Sequence, residues 1–321
     1  MNQNKPRRRW LRFTLRGFMI FVLLVCVWLA RVVNQVHLQR QIWAELERSG
    51  GSPHFETDLD ENGREVENPN ELDEDPGLLD QLLGGLLGEV YYFPIAGADF
   101  PDSPPTTEAL DLLARLPKVS ALSFRATGIR IANLKKIKRL PGLRSLGISE
   151  ANDAILKEIS DLSDLRCLYV AGPELTNSGI RHIGRLKNLR ELAIGGDNLT
   201  GVAFRSLVAL KNLQDLHVSS TTLTRADLMD IARLKNLRGL SLEGFTADPD
   251  LAPLESLHNL RRLELRDHNV RWASLLPLRK SLPDLETITH RSNGRSVERR
   301  ETPSERSRGL LQATRGVARK R

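Results

Sequence analysis

The feature that most restricts this chain is a recurring phrase, Leu-x-x-Leu-x-x-Leu-x-Leu with aliphatic substitutes. Its copies begin at Leu116, Leu140, Leu162, Leu186, Leu210, Leu234, Leu257 and Leu282, spaced 24, 22, 24, 24, 24, 23 and 25 residues apart. Each copy supplies one short strand whose apolar side chains cannot be buried by that copy alone, so neighbours must stack into a continuous core. Taking Leu143, Leu165, Leu189, Leu213, Leu237 and Leu260 as first positions, the strand pattern is Leu-x-x-Leu-x-aliphatic in every copy. Such an array grows lengthwise, so 321 residues with 40% hydrophobic content call for no second globular domain.

A period of this length with this phrase is that of a leucine-rich repeat. The expected fold is an α/β leucine-rich repeat solenoid, with parallel strands on the concave face, helices on the convex face and a transmembrane helix at the amino terminus. Leu87, Val90, Phe93 and Ile95 copy the repeat spacing one unit earlier and read as an amino-terminal capping repeat. Between strands, Thr224 followed by Asp227 suits a helix start, ahead of the apolar Leu228, Ile231 and Leu234. The loop position that carries an asparagine ladder in many such repeats holds Thr127, Ala151, Pro173, Asp197, Thr221, Phe245 and His268. A ladder is therefore not expected there, and irregular loops are, most of all in the 22- and 23-residue repeats and around Pro249 and Pro253.

The formal charge of +7 hides a segregated distribution. Residues 1–16 carry six basic and no acidic side chains, residues 56–80 carry eleven acidic and one basic, and residues 291–321 carry ten basic and three acidic. Residues 81–290 hold 27 basic and 24 acidic side chains, so the array as a whole shows no excess that would mark a polyanion partner. The two cysteines, Cys26 in an apolar run and Cys167 in a predicted strand, are not expected to pair and say nothing about redox compartment.

The arginine-rich start is followed by Gly17 to Ala30 without a charge, the pattern of a signal sequence. Trp28 spoils the small-residue pairing that cleavage needs, which favours a retained anchor. Fourteen residues at 1.5 Å rise span only about 21 Å of a roughly 30 Å hydrocarbon core. The helix must therefore borrow Val32, Val33 and Val36 while Arg31 snorkels. The expected organisation is a basic cytoplasmic segment (1–16), a transmembrane signal anchor (17–36), a stalk and acidic linker (37–80), the repeat domain (81–292) and a basic disordered tail (293–321). The positive-inside rule puts the amino terminus in the cytoplasm and the repeats on the other side. Asp58, Asp60, Asn62 and Gly63 resemble the opening of a calcium loop, but Pro69 stands where a bidentate Glu is needed. Asn62-Gly63 is read instead as a hairpin turn.

Outward residues alternate with buried leucines along each strand, so the concave surface is legible. Its middle is small and bland. Tyr169, Asp215, His217, Arg262, Glu264 and Arg266 offer the aromatic and charged anchors that binding hot spots need, and these six are the candidate ligand-binding residues. No nucleophile–base–oxyanion constellation and no metal-ligand spacing is present in the sequence, so no catalytic residue, metal or cofactor is expected.

Residues 7 to about 290 resemble a group of bacterial membrane-anchored leucine-rich repeat proteins. Phe13, Thr14, Leu15 and Arg16 match the group's Phe-Ser/Thr-Leu-Arg motif ahead of the anchor. Gly50-Gly51, Asp60-Glu61-Asn62-Gly63 and Leu86-Leu87-Gly88 are similar to its juxtamembrane segment. The group's Thr-Asp-Ala-Gly-Leu after the strand is degenerate here, as in Thr176 to Ile180, and no activity transfers with the resemblance. The resulting expectation is a non-enzymatic, single-pass membrane module that holds a protein or glycan ligand at the cell envelope. An alternative is a polyanion binder acting through the basic tail on an anionic polymer or lipid, with nucleic acid disfavoured by the extracytoplasmic placement. An enzyme is the remaining alternative.

Overall fold

The computed structural model describes residues 15–55, 59, 62, 95–219, 223–245, 248–266, 270, 272–292 and 295–300. The Phe13-Thr14 part of the anchor motif, Leu87, Val90 and Phe93 of the expected cap, most of the calcium-like segment and the tail beyond residue 300 lie outside these residues.

The apolar amino-terminal run forms helix α1, Leu15–Arg48, which carries on without a break through the expected stalk. Its 34 residues give a rod of about 51 Å at 1.5 Å per residue. Two stretches of this rod differ in what surrounds them. Phe18 to Leu24, Val27 to Leu29 and Val33 are exposed apolar positions with few interruptions, whereas Val36, Ile42 and Leu46 are buried. Val36 is buried, and Ile42 and Leu46 beyond it join the core of the solenoid, so the last turns of α1 cap the array. Gly50, at φ +74°, ends the helix in the left-handed region. The Gly51 and Gly50 amides donate to the Leu46 and Glu47 carbonyls, closing a Schellman motif. The chain then returns as β1, Ser52–Phe55, antiparallel to β2, Ile95–Phe100. Trp43 of α1 meets Phe55 of β1 with ring centroids 5.6 Å apart.

From β2 onward the strands are parallel and follow in sequence order: β3 Ala121–Arg125, β4 Ser145–Ser149, β5 Cys167–Ala171, β6 Glu191–Gly195, β7 Asp215–Ser219, β8 Gly239–Glu243, β9 Arg262–Leu265 and β10 Thr287–Ser292. Seven-residue helices connect them on the convex side: α2 Thr107–Leu113, α3 Ile131–Ile137, α4 Asp153–Ile159, α5 Asn177–Ile183, α6 Gly201–Leu207 and α7 Arg225–Ile231. The 23-residue repeat has only a 3₁₀ turn, Ala252–Ser256, with Pro253 in its first turn, and α8, Trp272–Ser281, follows β9. One contiguous core runs from Ile42 of α1 to Leu285, so the fold is a leucine-rich repeat solenoid. At the carboxyl end β11, Arg295–Arg300, pairs antiparallel with β10. The last parallel strand would otherwise expose an edge, and this hairpin strand covers it.

The 22-residue repeat keeps its helix and shortens its loop instead. Only three residues separate β4 from α4, against five between β3 and α3, and Glu150 takes φ +55° to turn the chain. The irregular loop expected of the 22-residue repeat is this shortened one, and in the 23-residue repeat the irregularity extends to the helix, which is reduced to a 3₁₀ turn. Helix starts are linked from repeat to repeat. The Asp153 carboxylate accepts from the Thr176 amide (2.9 Å) and hydroxyl (2.5 Å), and Asn177 accepts from the Thr200 amide at 3.0 Å. The Thr224–Asp227 capping box forms as the spacing predicts. Gly179 lies where a Cβ would collide with the anchored Asp153 carboxylate. Gly179→Ala is expected to cost about 1–3 kcal/mol by overpacking. A denaturation midpoint equal to that of the wild type would contradict this reading.

An asparagine ladder does exist, at the opposite end of the strands from the loop position of Thr127, Ala151 and Pro173. Asn188, Asn212, Asn236 and Asn259 donate their side-chain amides to the carbonyls of Ser163, Lys187, Lys211 and Lys235 in the preceding repeat, at 2.7–2.9 Å. Its sequence signal is the triplet Lys-Asn-Leu, repeated at 187, 211 and 235.

Candidate functional site

Strand register places the outward side chains in rows that cross the concave face. One row at the strand starts runs Cys167, Glu191, Asp215, Gly239, Arg262. The next runs Gly147, Tyr169, Ala193, His217, Ser241, Glu264. The period of two along each strand, read from sequence, accounts for both.

The six candidate residues fall into two groups. Tyr169 and His217 both line an open groove of about 460 Å³ that extends across the middle strands from Asp99 to Ser219. Between and beside them the floor is Gly147, Ala193 and Gly195, so the two rings project from a surface of small residues. The Tyr169 hydroxyl donates to Glu191 Oε1 at 2.7 Å, which fixes the ring's orientation. Glu191 is not among the six candidate residues, although it starts β6 as Asp215 starts β7 and stands beside it in register.

Asp215, Arg262, Glu264 and Arg266 form the second group, a charged network over β7 to β9. Arg262 Nη2 donates to Asp215 Oδ1 at 2.6 Å, reaching across β8. This crossing depends on Gly239, where a Cβ would collide with the Asp215 carboxylate. Glu264 accepts two hydrogen bonds from Arg266, at 2.9 and 3.1 Å, and one from the Ser241 hydroxyl at 2.9 Å. Burial raises the Glu264 carboxyl, but the Arg266 and Ser241 hydrogen bonds, with the Arg266 and His217 charges, together outweigh it and leave the pKa below its ordinary value. The hydrogen bond to Glu264 raises Arg266 in turn.

His217 adjoins Ser241 in register, one strand short of Glu264. Its pKa is lowered, chiefly by burial and then by the Arg266 charge, against smaller opposing effects of Glu264 and Glu243. The imidazole is therefore held towards its neutral form, a hydrogen-bonding group beside a charged network. A histidine with a depressed folded pKa binds fewer protons folded than unfolded. Its stabilising contribution is present above the unfolded value of 6.5 and is lost as pH falls below it. Melting temperatures at pH 7.5 and 5.5 are expected to drop less for His217→Gln than for the wild type; equal drops would assign the slope to other groups.

Asp215 and His217 share a strand face, but the Asp215 carboxylate is engaged by Arg262, and the charges that act on His217 are those of Arg266, Glu264 and Glu243. Cys167 is buried two strands from His217. The chemistry on display is hydrogen bonding and ion pairing.

No protein-family model and no curated protein matches the chain. Among solved structures it is similar to a leucine-rich repeat protein of Leptospira interrogans, at 25% identity over 59% of this chain and 46% of that one, with a TM-score of 0.40. It is also similar to an internalin (inlF) of Listeria monocytogenes, at 16% identity over 60% and 58% of the two chains, TM-score 0.38. A third similarity is to TLR13 in its complex with ssRNA13, at 22% identity over 48% and 23% of the chains, TM-score 0.38. The chain spans less than two thirds of the length of each of these structures.

Proposed function

We propose that this chain is a non-enzymatic module that tethers a leucine-rich repeat array to the cell membrane and holds a protein or glycan ligand on its concave face. The supporting observation is the division within α1: an apolar stretch exposed over Phe18 to Val33 runs directly into turns that cap the array at Ile42 and Leu46. Gly17–Arg48 is long and apolar enough to cross a membrane by length and composition. The arginine-rich start favours a cytoplasmic amino terminus and repeats on the far side. On the array, ligand contacts fall to Tyr169 and His217 in the groove and to Asp215, Arg262, Glu264 and Arg266 on its flank. A ring standing among small residues next to hydrogen-bonded charge suits a partner with both a flat apolar and a polar surface.

The test is topology. With a tag at the carboxyl terminus, protease added to intact spheroplasts should remove the tag while a cytoplasmic control survives. A protected tag would overturn the orientation and move the search for partners to the cytoplasm.

A further inference from the structure

The array is nearly neutral in sum, yet residues 112–149 hold nine basic side chains and no acidic one. The fold gathers five of them at α3, where Arg130 is the N-cap, Lys135 and Lys136 lie in the last turn, Lys138 is the C-cap and Arg139 follows. Lys136 pairs with Asp111 of α2, and Lys138 pairs with Glu158 of α4 and with Asp161, each at 3.4 Å. Arg130, Lys135 and Arg139 are exposed, and their side chains take part in no hydrogen bond or ion pair. Lys157 occupies the fifth position of α4 as Lys135 does of α3, and it is likewise exposed and outside any ion pair. Of the acidic groups on the flanking helices, Asp153 is engaged by Thr176 and the others by the two paired lysines, which leaves the exposed Glu108 of α2. Further along the convex side the cations are engaged within the array: Arg205 and Arg233 pair with Asp230, and Arg225 pairs with Asp250.

Among these charges Ile131, the first residue of α3, is an aliphatic side chain 62% exposed. It lies on the same helix side as Lys135, four positions on. Cations around an exposed aliphatic group are the surface of a helix that rests on a bilayer, with the charges on lipid phosphates and the apolar group among the headgroups. The charges are spread over α3 and α4, which suits a sheet of headgroups better than one soluble anion. The place of α3 relative to the anchor helix is also fixed. Thr106 donates to Glu45 of α1 at 3.4 Å, and Thr107 donates to Asn133 Oδ1 of α3 at 3.0 Å. Asn133 is buried and donates its amide to the Pro105 carbonyl at 3.0 Å. α1 packs on α2 and α2 on α3. Packed helices stand about 8–10 Å apart, so α3 lies within about 20 Å of α1.

We propose that the convex surface of α3 is a membrane contact, at which Arg130, Lys135 and Arg139 engage the headgroups of anionic phospholipid beside the anchor and Ile131 enters among them. This contact rests on the anchoring of α1 and is independent of what the concave face binds.

The test uses the full chain carrying Cys26→Ala and one added cysteine, reconstituted in vesicles of phosphatidylcholine alone or mixed with phosphatidylglycerol. Cys167 is buried and does not take the label. Ile131→Cys carries an environment-sensitive fluorophore, and Val202→Cys on α6, at a side chain 53% exposed, is the control. Resistance to alkaline carbonate extraction reports the anchor separately. With phosphatidylglycerol present, the label at 131 should brighten and be quenched by nitroxide-bearing lipid, and the label at 202 should do neither. Lys135→Gln/Arg139→Gln, at two exposed and unpaired side chains, should lower the ratio of docked to undocked α3 roughly 25-fold, since each cation near an anionic surface is worth about fivefold. Salt at about 1 M, where the Debye length is about 3 Å, should weaken docking in the same direction. Extraction of the chain by carbonate would overturn the anchoring and this contact with it. A chain that resists extraction but gives equal signals at 131 and 202, or the same signal at 131 without phosphatidylglycerol, would overturn the contact and leave the anchor standing. A stronger response at 131 to soluble polyphosphate over phosphatidylcholine vesicles than to phosphatidylglycerol would assign the face to a soluble polyanion instead.

Discussion

Leu46→Asp is expected to lift the cap off the first strands of the array and leave the later repeats folded. Leu46 is fully buried in the core cluster that includes Phe100, Leu110 and Leu113, and it lies one turn after Ile42, which faces the same way. Truncating a buried leucine costs about 2–5 kcal/mol, and a carboxylate at such a site adds the penalty of an unpaired charge. In a linear array that loss falls first on the nearest neighbours, because each unit contacts only those beside it. Hydrogen exchange should show faster exchange in β1 and α2 with little change in β6 and β7. Protection of β1 and α2 equal to the wild type would mean that the end of α1 is not a cap.

Phe204→Ala should be the most damaging single truncation in the middle of the array. Phe204, in α6, is 0% exposed and is among the largest fully buried side chains. Phenylalanine to alanine in a core costs about 3–5 kcal/mol, the spread reflecting how far the site collapses. An interior repeat has neighbours on both sides, so a cavity there weakens two interfaces, where one at an end weakens one. The expected result in urea is a lower midpoint with exchange rising first around β6 and β7. A loss under about 1 kcal/mol would show that the repeat tolerates the void by moving its helix, at the low end of what cores permit.

Strand positions, their inward and outward faces, and the Thr224–Asp227 cap were legible because each follows a local period or pair rule. The period of two also accounts for the rows in which Tyr169, Asp215, His217, Arg262 and Glu264 stand. What local rules could not supply was anything joined across repeats. The Asp215–Arg262 pair spans 47 positions and turns on the absence of a side chain at Gly239. The asparagine ladder was hidden by looking at one loop position, although its Lys-Asn-Leu triplets stand in plain view. Charge counted over the whole array gave near neutrality, which hides the cations gathered at α3. The residues after Val36 read as an amphipathic stalk because their apolar face was visible and the surface it covers, some 60 positions later, was not.

In α1, Val36, which is already buried, lies only three positions after Val33, the last of the exposed apolar stretch. That is about 4.5 Å of helix rise, with no glycine or proline in between to act as a swivel. On the proposed anchoring, the solenoid has no free neck: it is held close to the bilayer surface at a set tilt, and its concave groove keeps a constant bearing to the membrane plane. A receptor so mounted samples a thin layer instead of a sphere. Its effective concentration is high for ligands on the same surface, and it gains nothing from reach into the space beyond.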